Sequence, residues 1–388
     1  MTEKNYDTIS KDYERLFPVD IEQFWRDDKL AHEQNCFSSK SPQAALGIRM
    51  SDECVFDELN ESGDPWGQLP IDKRIEINKR YNDKAEKIVG MRLLREKRER
   101  YPEPDAEFPQ IKDIGEVFEG KLISKSGTLW LEQACNTPSE LKRILDHVDT
   151  INLRDFILPK NWDSEKKRIF NEYGIKPSLW RDVRGPVTLA CSIYGTENLI
   201  FLIKDESDLA KRFSNTIAKI ILEYIKIFDY EAGYEADNAP AGFGFRDDSC
   251  CFLNAEMYEQ FGYPVLKKVF DYCSPEPEDT RYQHSDSEMN HLLPILGRLN
   301  LNGVNFGPTV LVDEIRKYLP NARIDGCLAP FTFSRNNFEQ IISEVRRDCE
   351  MAKKSRGLNI DTAGSLNYGS LLISMRAVMH TIQIYGRY

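Results

Sequence analysis

The sequence predicts an α/β protein, with a (β/α)8 barrel over residues 111–388 and a helical N-terminal extension over residues 1–110. The first observation is that short β-favouring runs alternate with long helical stretches from about residue 150 onward, which is typical of a parallel sheet. The second is that the first 110 residues are strongly charged and helical in pattern. The third is an apolar fraction of 41 % in a chain of 388 residues, which is enough for a large core.

The N-terminal stretch predicts an amphipathic helix followed by a boundary. In YNDKAEKIVGMRLLREKRERY the apolar residues Ala85, Ile88, Val89 and Leu93 recur at helical spacing, and charged residues occupy the opposite face. The next stretch, RYPEPDAEFPQ, contains three prolines, which interrupt a helix. We therefore place the domain boundary near residue 110.

The segment that follows the boundary is expected to supply two strands of the barrel. The run GKLISKSGTLWLEQA alternates around a Ser-Gly pair, as a β-hairpin does. The run NTPSELKRIL then predicts a helix start, with Thr137 as N-cap, Pro138 at the first helical position and Glu140 at the third, which is a capping box.

The remainder of the chain gives six strand candidates and five long helices. The strand candidates are LWRDV, GFGFRDD, RYQHSD, GVNFG, ARIDG and GLNID. The helix candidates are ESDLAKRFSNTIAKIILEYIKIFDY, NAEMYEQFGYPVLKKVFDY, VLVDEIRKYL, NNFEQIISEVRRDCEMAKK and SLLISMRAVMHTIQIY. Together with two strands from residues 110–156, the six candidates would close an eight-stranded barrel.

Composition excludes several classes of function. The net charge of -11 and a sequence pI near 5.2 argue against nucleic acid as the main partner, because phosphate binding needs a basic face. No apolar run approaches ~18 residues, so no membrane span is expected, and the polar N-terminus has no signal region. The nine cysteines are scattered and form no CxxC pair, which predicts a reduced, cytoplasmic protein.

Chemistry in an α/β barrel is carried where strands end and loops begin. Nearly every strand candidate ends in a polar or ionisable side chain. In chain order these are Asp182, Arg184, Asp247, Asp248, His284, Asp286, Asn305, Asp325, Cys327 and Asp361. Converging carboxylates, an imidazole and a thiol can bind a metal or perform acid–base catalysis, although a single Asp after a strand is also a common helix cap.

These positions define three sets of predicted site residues. The catalytic set is His284, Asp286 and Asp248. The substrate-binding set is Asp247, Phe245, Tyr194 and Asn305. The metal set is His284, Cys327 and Asp361, with Asp286 as a further candidate ligand, because an open zinc site takes three ligands from His, Cys and carboxylate.

Other sequence signals are absent or structural. No glycine-rich phosphate loop of either common type is present, and no nucleophile elbow accompanies a Ser–His–Asp order. His291 and His380 lie within helical stretches and are expected to be structural.

The stretch from Gly185 to Tyr388 resembles the uroporphyrinogen decarboxylase-like superfamily. The resemblance is carried, in the family's order, by GPVTLACSIYGTENL, by DD followed by FLNAEMYEQFGYPVLKKVF, and by HSDS, LNLNGVNFGP, DGCLAPFTFSRNNFEQIISEVRRDCE and DTAGSLNYGSLLISMRAV. It covers about half of the chain and implies a (β/α)8, or TIM, barrel.

The resemblance is closer to the cobamide-dependent methyltransferases than to the true decarboxylases. The chain lacks the arginine-rich stretch, similar to RQAGRYLPEY, that true uroporphyrinogen decarboxylases carry. Methyltransferases that act on thiols look like His-x-Cys with a distant Cys, all on zinc. Here His284 matches the histidine, Asp286 stands at the first cysteine, and NIDTAGSL holds no cysteine.

The resemblance therefore implies a third group, the corrinoid-dependent methyltransferases of O-demethylase type. These move a methyl group from a methoxylated aromatic or a similar small donor to the cobalamin of a separate corrinoid protein. Zinc and a homodimer are further expectations. Two alternatives stay open, a decarboxylase of a non-porphyrin carboxylic acid and a non-catalytic barrel scaffold. A neighbouring corrinoid-protein gene or stoichiometric zinc would favour methyl transfer.

Overall fold

A computed structural model of the chain describes residues 12–125, 128–235 and 238–388, without the side chains of residues 124–129. The strands are β1 (Ala45–Leu46), β2 (Lys121–Lys125), β3 (Thr128–Glu132), β4 (Asp182–Arg184), β5 (Phe243–Arg246), β6 (Arg281–Ser285), β7 (Gly303–Phe306), β8 (Arg323–Leu328) and β9 (Leu358–Thr362).

Seventeen α-helices lie in the described residues. They are α1 (Tyr13–Leu16), α2 (Ile21–Ala31), α3 (Asp52–Leu59), α4 (Ile71–Val89), α5 (Ile114–Val117), α6 (Pro138–Val148), α7 (Leu153–Ile157), α8 (Trp162–Tyr173), α9 (Pro186–Tyr194), α10 (Thr196–Asp205), α11 (Ser207–Glu231), α12 (Ala255–Cys273), α13 (Leu293–Leu296), α14 (Val312–Tyr318), α15 (Pro330–Ser334), α16 (Phe338–Ala352) and α17 (Leu372–Tyr385).

The chain divides into two compact units. The first unit contains the described residues up to Tyr101 together with Ser285–Asn290 and Gly303–Tyr388, and the second contains Pro102–His284 and His291–Asn302. Both are built from parallel strands with helices between them, so the chain is an α/β protein, as predicted.

The first unit contains the parallel strands β1, β9, β8 and β7, paired in that order. Strand β1 comes from the N-terminal stretch and pairs with β9, with Ala45 opposite Asn359. Helices α16 and α17 pack closely, with almost every residue from Leu372 to Met379 buried. The N-terminal stretch is thus largely helical, as expected, but it also adds a strand to the sheet, which the prediction missed.

The second unit contains the parallel strands β4, β5 and β6 and the antiparallel hairpin β2–β3. Its core is aromatic. The ring of Phe213 on α11 lies 6.0 Å from that of Phe118 and 5.8 Å from that of Phe261 on α12, and all three side chains are buried. Burying each phenylalanine contributes about 1.5–3 kcal/mol, so these contacts hold the helices that support the strands.

Most elements are where the sequence predicted them. All six strand candidates form strands, and all five long helix candidates form helices. The capping box at the start of α6 is also confirmed, because the Thr137 side chain accepts from the Glu140 amide while the Glu140 carboxylate accepts from the Thr137 amide. The prolines near residue 110 were expected to mark a domain boundary, and that boundary stays a prediction.

Two details of the predicted barrel are wrong. Strands β2 and β3 pair with each other in a separate antiparallel sheet, so residues 110–156 do not supply two parallel strands, and the described residues contain seven parallel strands rather than eight. The predicted Ser126-Gly127 turn lies outside the described residues. The N-terminal amphipathic helix ends at Val89, because Gly90 adopts a left-handed φ of 73°, and Leu93 is therefore not part of it.

No single helix in the described part of the chain is long and apolar enough to cross a membrane. The consecutive helices α9 and α10 would pass such a test together by length and composition, but they are bent by 105° at Gly195.

Candidate functional site

A cavity of about 720 Å³ opens in the second unit. Ligand sites commonly occupy roughly 300–1,000 Å³, so its size suits a small molecule. One part of the wall is apolar or aromatic and is formed by Ile111, Ile114, Leu122, Trp130, Leu131, Trp180, Val183 and Tyr224. The other part is polar and is formed by Gln110, Lys112, Asp113, Asp182, Arg184, Thr188, Ser192, Arg246, Asp248 and Ser249.

Part of the polar wall is built on the ends of β4 and β5, and β6 pairs with β5 beside them. Parallel pairing places Arg184 of β4 beside Arg246 of β5, and Arg246 beside His284 of β6. Neighbouring strands lie about 4.8 Å apart, and paired residues of a parallel sheet face the same side. These three residues, which we call the basic row, therefore stand side by side near the carboxyl ends of the strands.

His284 lies beside a carboxylate. Its Nε2 atom is 3.7 Å from Oδ1 of Asp248, the first residue of a short 3-10 helix that follows β5. The His284 side chain is 18 % exposed and that of Asp248 is 46 % exposed, so the pair is accessible from solvent without being fully hydrated. Asp248 lines the cavity, whereas His284 is not among its lining residues and adjoins it through Asp248.

Asp286 follows His284 by two residues, directly after β6. Side chains alternate along a strand, so this spacing favours the same face for both residues. Asp286 is exposed, and in the first unit its carboxylate lies against Gly364, where an added Cβ would come within 2.7 Å of Oδ2. Within the second unit, His284 and Asp248 offer two side chains of the kinds that hold divalent metals.

A second carboxylate beside the basic row is Asp182 on β4. Its Oδ1 atom lies 3.1 Å from Nε of Arg246, and both side chains are partly exposed. Burial raises the pKa of Asp182, while the positive charge of Arg246 and the neighbouring His284 work against that rise. Because Arg246 pairs with Asp182, one arginine of the basic row already has a carboxylate partner within the protein.

Asp247 was predicted to bind substrate, but the structure gives it a supporting position. It is fully buried and does not line the cavity. Its Oδ1 atom accepts a 2.7 Å hydrogen bond from the amide of Thr188 in the first turn of α9. The N-cap of that helix, Gly185, packs so tightly that a Cβ there would lie 2.2 Å from the Cβ of Asp247.

Burial raises the pKa of Asp247 to about 6, against hydrogen bonds from Thr188 and Val187 that lower it. Helix α9 begins at Gly185 and Pro186, which offer no capping side chain, so Asp247 supplies the acceptor that the helix start lacks. Thr188 and Ser192 of α9 line the cavity, and Asp247 therefore acts on the site by positioning this helix.

The other three residues of the predicted substrate-binding set are also buried. Phe245 packs its ring 5.3 Å from that of Phe270 on α12 and is part of the core. Tyr194 is 2 % exposed and ends α9, and burial raises the pKa of its hydroxyl. The amide of Asn305 donates to the carbonyls of Asp325 and Thr362, which ties β7 to its neighbours in the first unit. Phe245 and Tyr194 do not line the cavity of their own unit.

Cys327 does not have the surroundings of a metal ligand. It is fully buried on β8, and its backbone amide donates to Asp348 of α16. Burial raises the pKa of the thiol well above its ordinary range, and Asp348 adds to the rise, so the thiolate that zinc needs is disfavoured.

Asp361, the other first-unit member of the predicted metal set, has different neighbours. Asp325, Arg323 and Arg49 surround its carboxylate. Among the described residues, neither Cys327 nor Asp361 belongs to a group of three converging metal-type ligands. The predicted metal set of His284, Cys327 and Asp361 stays a prediction.

The Asp361→Asn variant is expected to be more stable than wild type at pH 8 and equally stable near pH 4. Burial raises the pKa of Asp361 to about 7, from about 3.9 in an unfolded chain. The folded state holds the extra proton, so this stabilising contribution is complete below about pH 4 and is lost as pH rises through 7. Asn keeps the acceptor that receives the 2.8 Å hydrogen bond from the Thr362 amide.

The gain at pH 8 should be at least about 1 kcal/mol, since one pKa unit corresponds to about 1.4 kcal/mol. Urea unfolding of both proteins at pH 4, 6 and 8 measures it. Equal free energies of unfolding at pH 8 would contradict the expectation.

The sequence analysis missed the arginines and the aromatic wall. Arg184 was noted as a strand end, but Arg246, Trp180 and Tyr224 received no role. The strand pattern held a usable signal: Arg184, Arg246 and His284 each stand near the end of a strand candidate, two to four residues after its first aromatic residue. Nothing in the spacing could have identified Trp180 or Tyr224, whose rings lie 5.1 Å apart.

The two histidines expected to be structural have structural contacts. Nε2 of His291 lies 2.8 Å from the carbonyl oxygen of Leu253, and Nδ1 of His380 lies 2.7 Å from that of Pro18. Each ring ties a helical segment to a loop.

Comparison with known proteins identifies a family. A family model described as uroporphyrinogen decarboxylase (URO-D) matches residues 178–381, which is more than half of the chain. This range includes β4 to β9, the basic row and the His284–Asp248 pair. No curated protein matches the chain.

Two solved structures match the chain at low identity. A methyltransferase from Methanosarcina mazei is 12 % identical, with a TM-score of 0.51 over 89 % of this chain and 94 % of that chain. A B12-independent methionine synthase from a Shewanella species, in complex with selenomethionine, is 12 % identical, with a TM-score of 0.35 over 57 % of this chain and 64 % of that chain.

Proposed function

Because the chain belongs to the uroporphyrinogen decarboxylase family, we propose that it is a methyltransferase that moves a methyl group from a small donor to the cobalamin of a separate corrinoid protein. The observation that carries the proposal is the His284–Asp248 pair beside a cavity of small-molecule size. The methyltransferase from Methanosarcina mazei, which shares the fold, supports the choice within the family.

The chemistry needs an acid at the donor oxygen. A methyl ether is a poor electrophile, because its leaving group is an alkoxide or a phenoxide. Protonating the ether oxygen while the carbon–oxygen bond breaks lowers this barrier. We assign the proton to His284, with Asp248 orienting the imidazolium and stabilising its charge across 3.7 Å. Asp286 is the second candidate for proton transfer.

The cavity suits the donor better than the cofactor. Its aromatic wall, with Trp180 and Tyr224, can stack on a methoxylated ring, which is the donor class we favour. A whole corrinoid is larger than about 720 Å³, so it would reach the donor from the mouth of the cavity while carried on its own protein. The reduced corrinoid supplies the nucleophile for the methyl carbon.

The purified chain is expected to contain no cobalamin, and to methylate cobalamin only when a donor and a reduced corrinoid protein are both added. The experiment follows the cobalt absorbance with 4-methoxybenzoate and 2-methoxyphenol as donors. Cobalamin absorbance at equal molarity in the purified chain would refute the partner model. Corrinoid methylation with neither of these donors, under conditions where a known methyltransferase works, would argue against the donor class.

A decarboxylase of a non-porphyrin acid is the second candidate, and the basic row favours it, since arginines beside a small cavity suit a carboxylate. The two functions differ in their product. Release of CO₂ from a carboxylic acid without any corrinoid would support decarboxylation. Methyl transfer with the carboxylate retained would support the first candidate.

A further inference from the structure

The acidic and basic side chains around the cavity differ in the partners that they have within the protein. Each carboxylate of the wall has a partner within the second unit. Asp182 pairs with Arg246, Asp248 lies beside His284, and Asp113 accepts from the Gly115 amide as a helix cap. These carboxylates therefore do not require a cation from a bound molecule to balance their charge.

Arg184 has no such partner among the described residues. In the part of the chain that the structure describes, its side chain makes one hydrogen bond, from Nη1 to Oγ of Ser192 at 3.3 Å, and no ion pair. The bond is long, and it leaves the other donors of the guanidinium without an acceptor in the described part of the protein. The residue is half-buried and lines the cavity. A ligand bound there would therefore be placed to supply the negatively charged partner that the described residues do not provide.

Two other residues of the cavity wall are also cations, so they offer Arg184 no acceptor for its hydrogen bonds. In the basic row it stands beside Arg246, whose own carboxylate partner is Asp182. Lys112, on the same cavity wall, has its Nζ 3.8 Å from the centre of the Phe156 ring rather than on a carboxylate. Arg184 and Lys112 thus both line the cavity, and neither has a carboxylate partner among the described residues.

We propose that Arg184 binds the anionic group of the substrate, so that this site selects a small aromatic carboxylate over its neutral analogues. A guanidinium presents a planar fork of donors that matches a carboxylate in two parallel hydrogen bonds. The ring of such a ligand would lie against the aromatic wall at Trp180 and Tyr224. The methyl-transfer role of this substrate rests on the proposed function, but its binding does not.

Binding is tested first, on the full chain without any corrinoid. The probes are 4-methoxybenzoate and its neutral analogue 4-methoxybenzyl alcohol, titrated by calorimetry and by tryptophan fluorescence. Wild type is expected to bind the acid at least 10-fold more tightly than the alcohol. Arg184→Ala should weaken binding of the acid by about 10- to 100-fold, the range of a charge-assisted hydrogen bond, and leave binding of the alcohol unchanged.

Two further variants sharpen the test. Arg184→Lys keeps the charge but not the fork, and it should recover part of the affinity for the acid. Arg212→Ala removes an arginine that pairs with Asp146 and Asp149 outside the cavity, and it should bind both probes like wild type. No binding of the acid to wild type, or equal affinity of Arg184→Ala and wild type for the acid, would overturn the inference.

Methyl transfer separates this inference from the proposed function. If the acid binds through Arg184 but no methyl group reaches a corrinoid, the proposed function fails and the inference stands. If the neutral donor is demethylated as fast as the acid, and Arg184→Ala changes neither rate, the inference fails and the proposed function stands.

Discussion

His284→Ala is expected to lower the rate of methyl transfer by about 100- to 10,000-fold while leaving the thermal midpoint within a few degrees of wild type. The imidazole is 18 % exposed and stands beside Asp248 next to the cavity, so its removal takes away the proton donor. The loss of packing is small, because the side chain is not part of the aromatic core. Turnover per folded molecule and the thermal midpoint are measured side by side.

His291→Ala is the matched control in the same unit. Its ring holds the carbonyl of Leu253 at 2.8 Å, so the change should cost stability and leave turnover per folded molecule nearly unchanged. The two substitutions are therefore expected to have opposite effects on turnover and on stability. If His284→Ala retained wild-type turnover, the catalytic role of His284 would be lost.

Zinc content gives the His284 variant a second readout. If His284 and Asp248 are ligands of a metal, wild type should contain one equivalent and His284→Ala should contain much less, because an open site needs three protein ligands. If His284 acts as an acid without metal, the zinc content of both proteins should be low and equal. Together with the loss of turnover, the zinc content separates Lewis-acid help from proton transfer.

Asp247→Ala is expected to cost about 2–4 kcal/mol of the free energy of unfolding. The change leaves the Thr188 amide at the start of α9 without its 2.7 Å acceptor and opens a gap against Gly185. Because Thr188 and Ser192 line the cavity, substrate affinity should fall in whatever protein still folds. Chemical denaturation at pH 7 measures the loss, and a difference under about 0.5 kcal/mol would contradict the supporting role.

Asp247→Asn tests the same contact with a milder change. Asn keeps an acceptor for the Thr188 amide and cannot ionise. Burial raises the pKa of Asp247 to about 6 in the folded state, so the stabilising contribution of its proton is complete below about pH 4 and is lost as pH rises through 6. Wild-type stability should therefore fall between pH 4 and 7 more steeply than that of Asp247→Asn. Identical pH profiles would contradict the assigned pKa.

Sequence reasoning identified elements whose pattern is local. The run RYQHSD became β6 and NTPSELKRIL became α6, because a strand of five residues and a capping box each leave a signal within a short window. Strand β1 is only Ala45–Leu46, too short for any periodicity. The hairpin was recognised, but alternation does not say which strand will be its partner, and its assignment to the parallel sheet was wrong.

The candidate site also depends on contacts that a local sequence pattern does not reveal. Asp247 and Asp248 are adjacent, and the sequence could not tell which carboxylate would be buried under α9 and which would line the cavity. Cys327 has the residue type of a metal ligand, but its burial beside the helices α14 and α16 depends on contacts distant in the sequence. His284 was singled out because it ends a strand and matches a family histidine, two properties that are visible in the sequence.

The pairing of β1 with β9 has a consequence for biosynthesis. Residues 45–46 leave the ribosome long before residues 358–362 are translated, so the nascent chain carries β1 without its hydrogen-bonding neighbour through most of elongation. The bridge between Gln43 and Arg387 and the ion pair of Arg387 with Asp27 must wait equally long. Since such non-local contacts form slowly, the first unit is expected to complete its folding only after residues 358–387 have left the ribosome, while residues 102–284 can fold earlier.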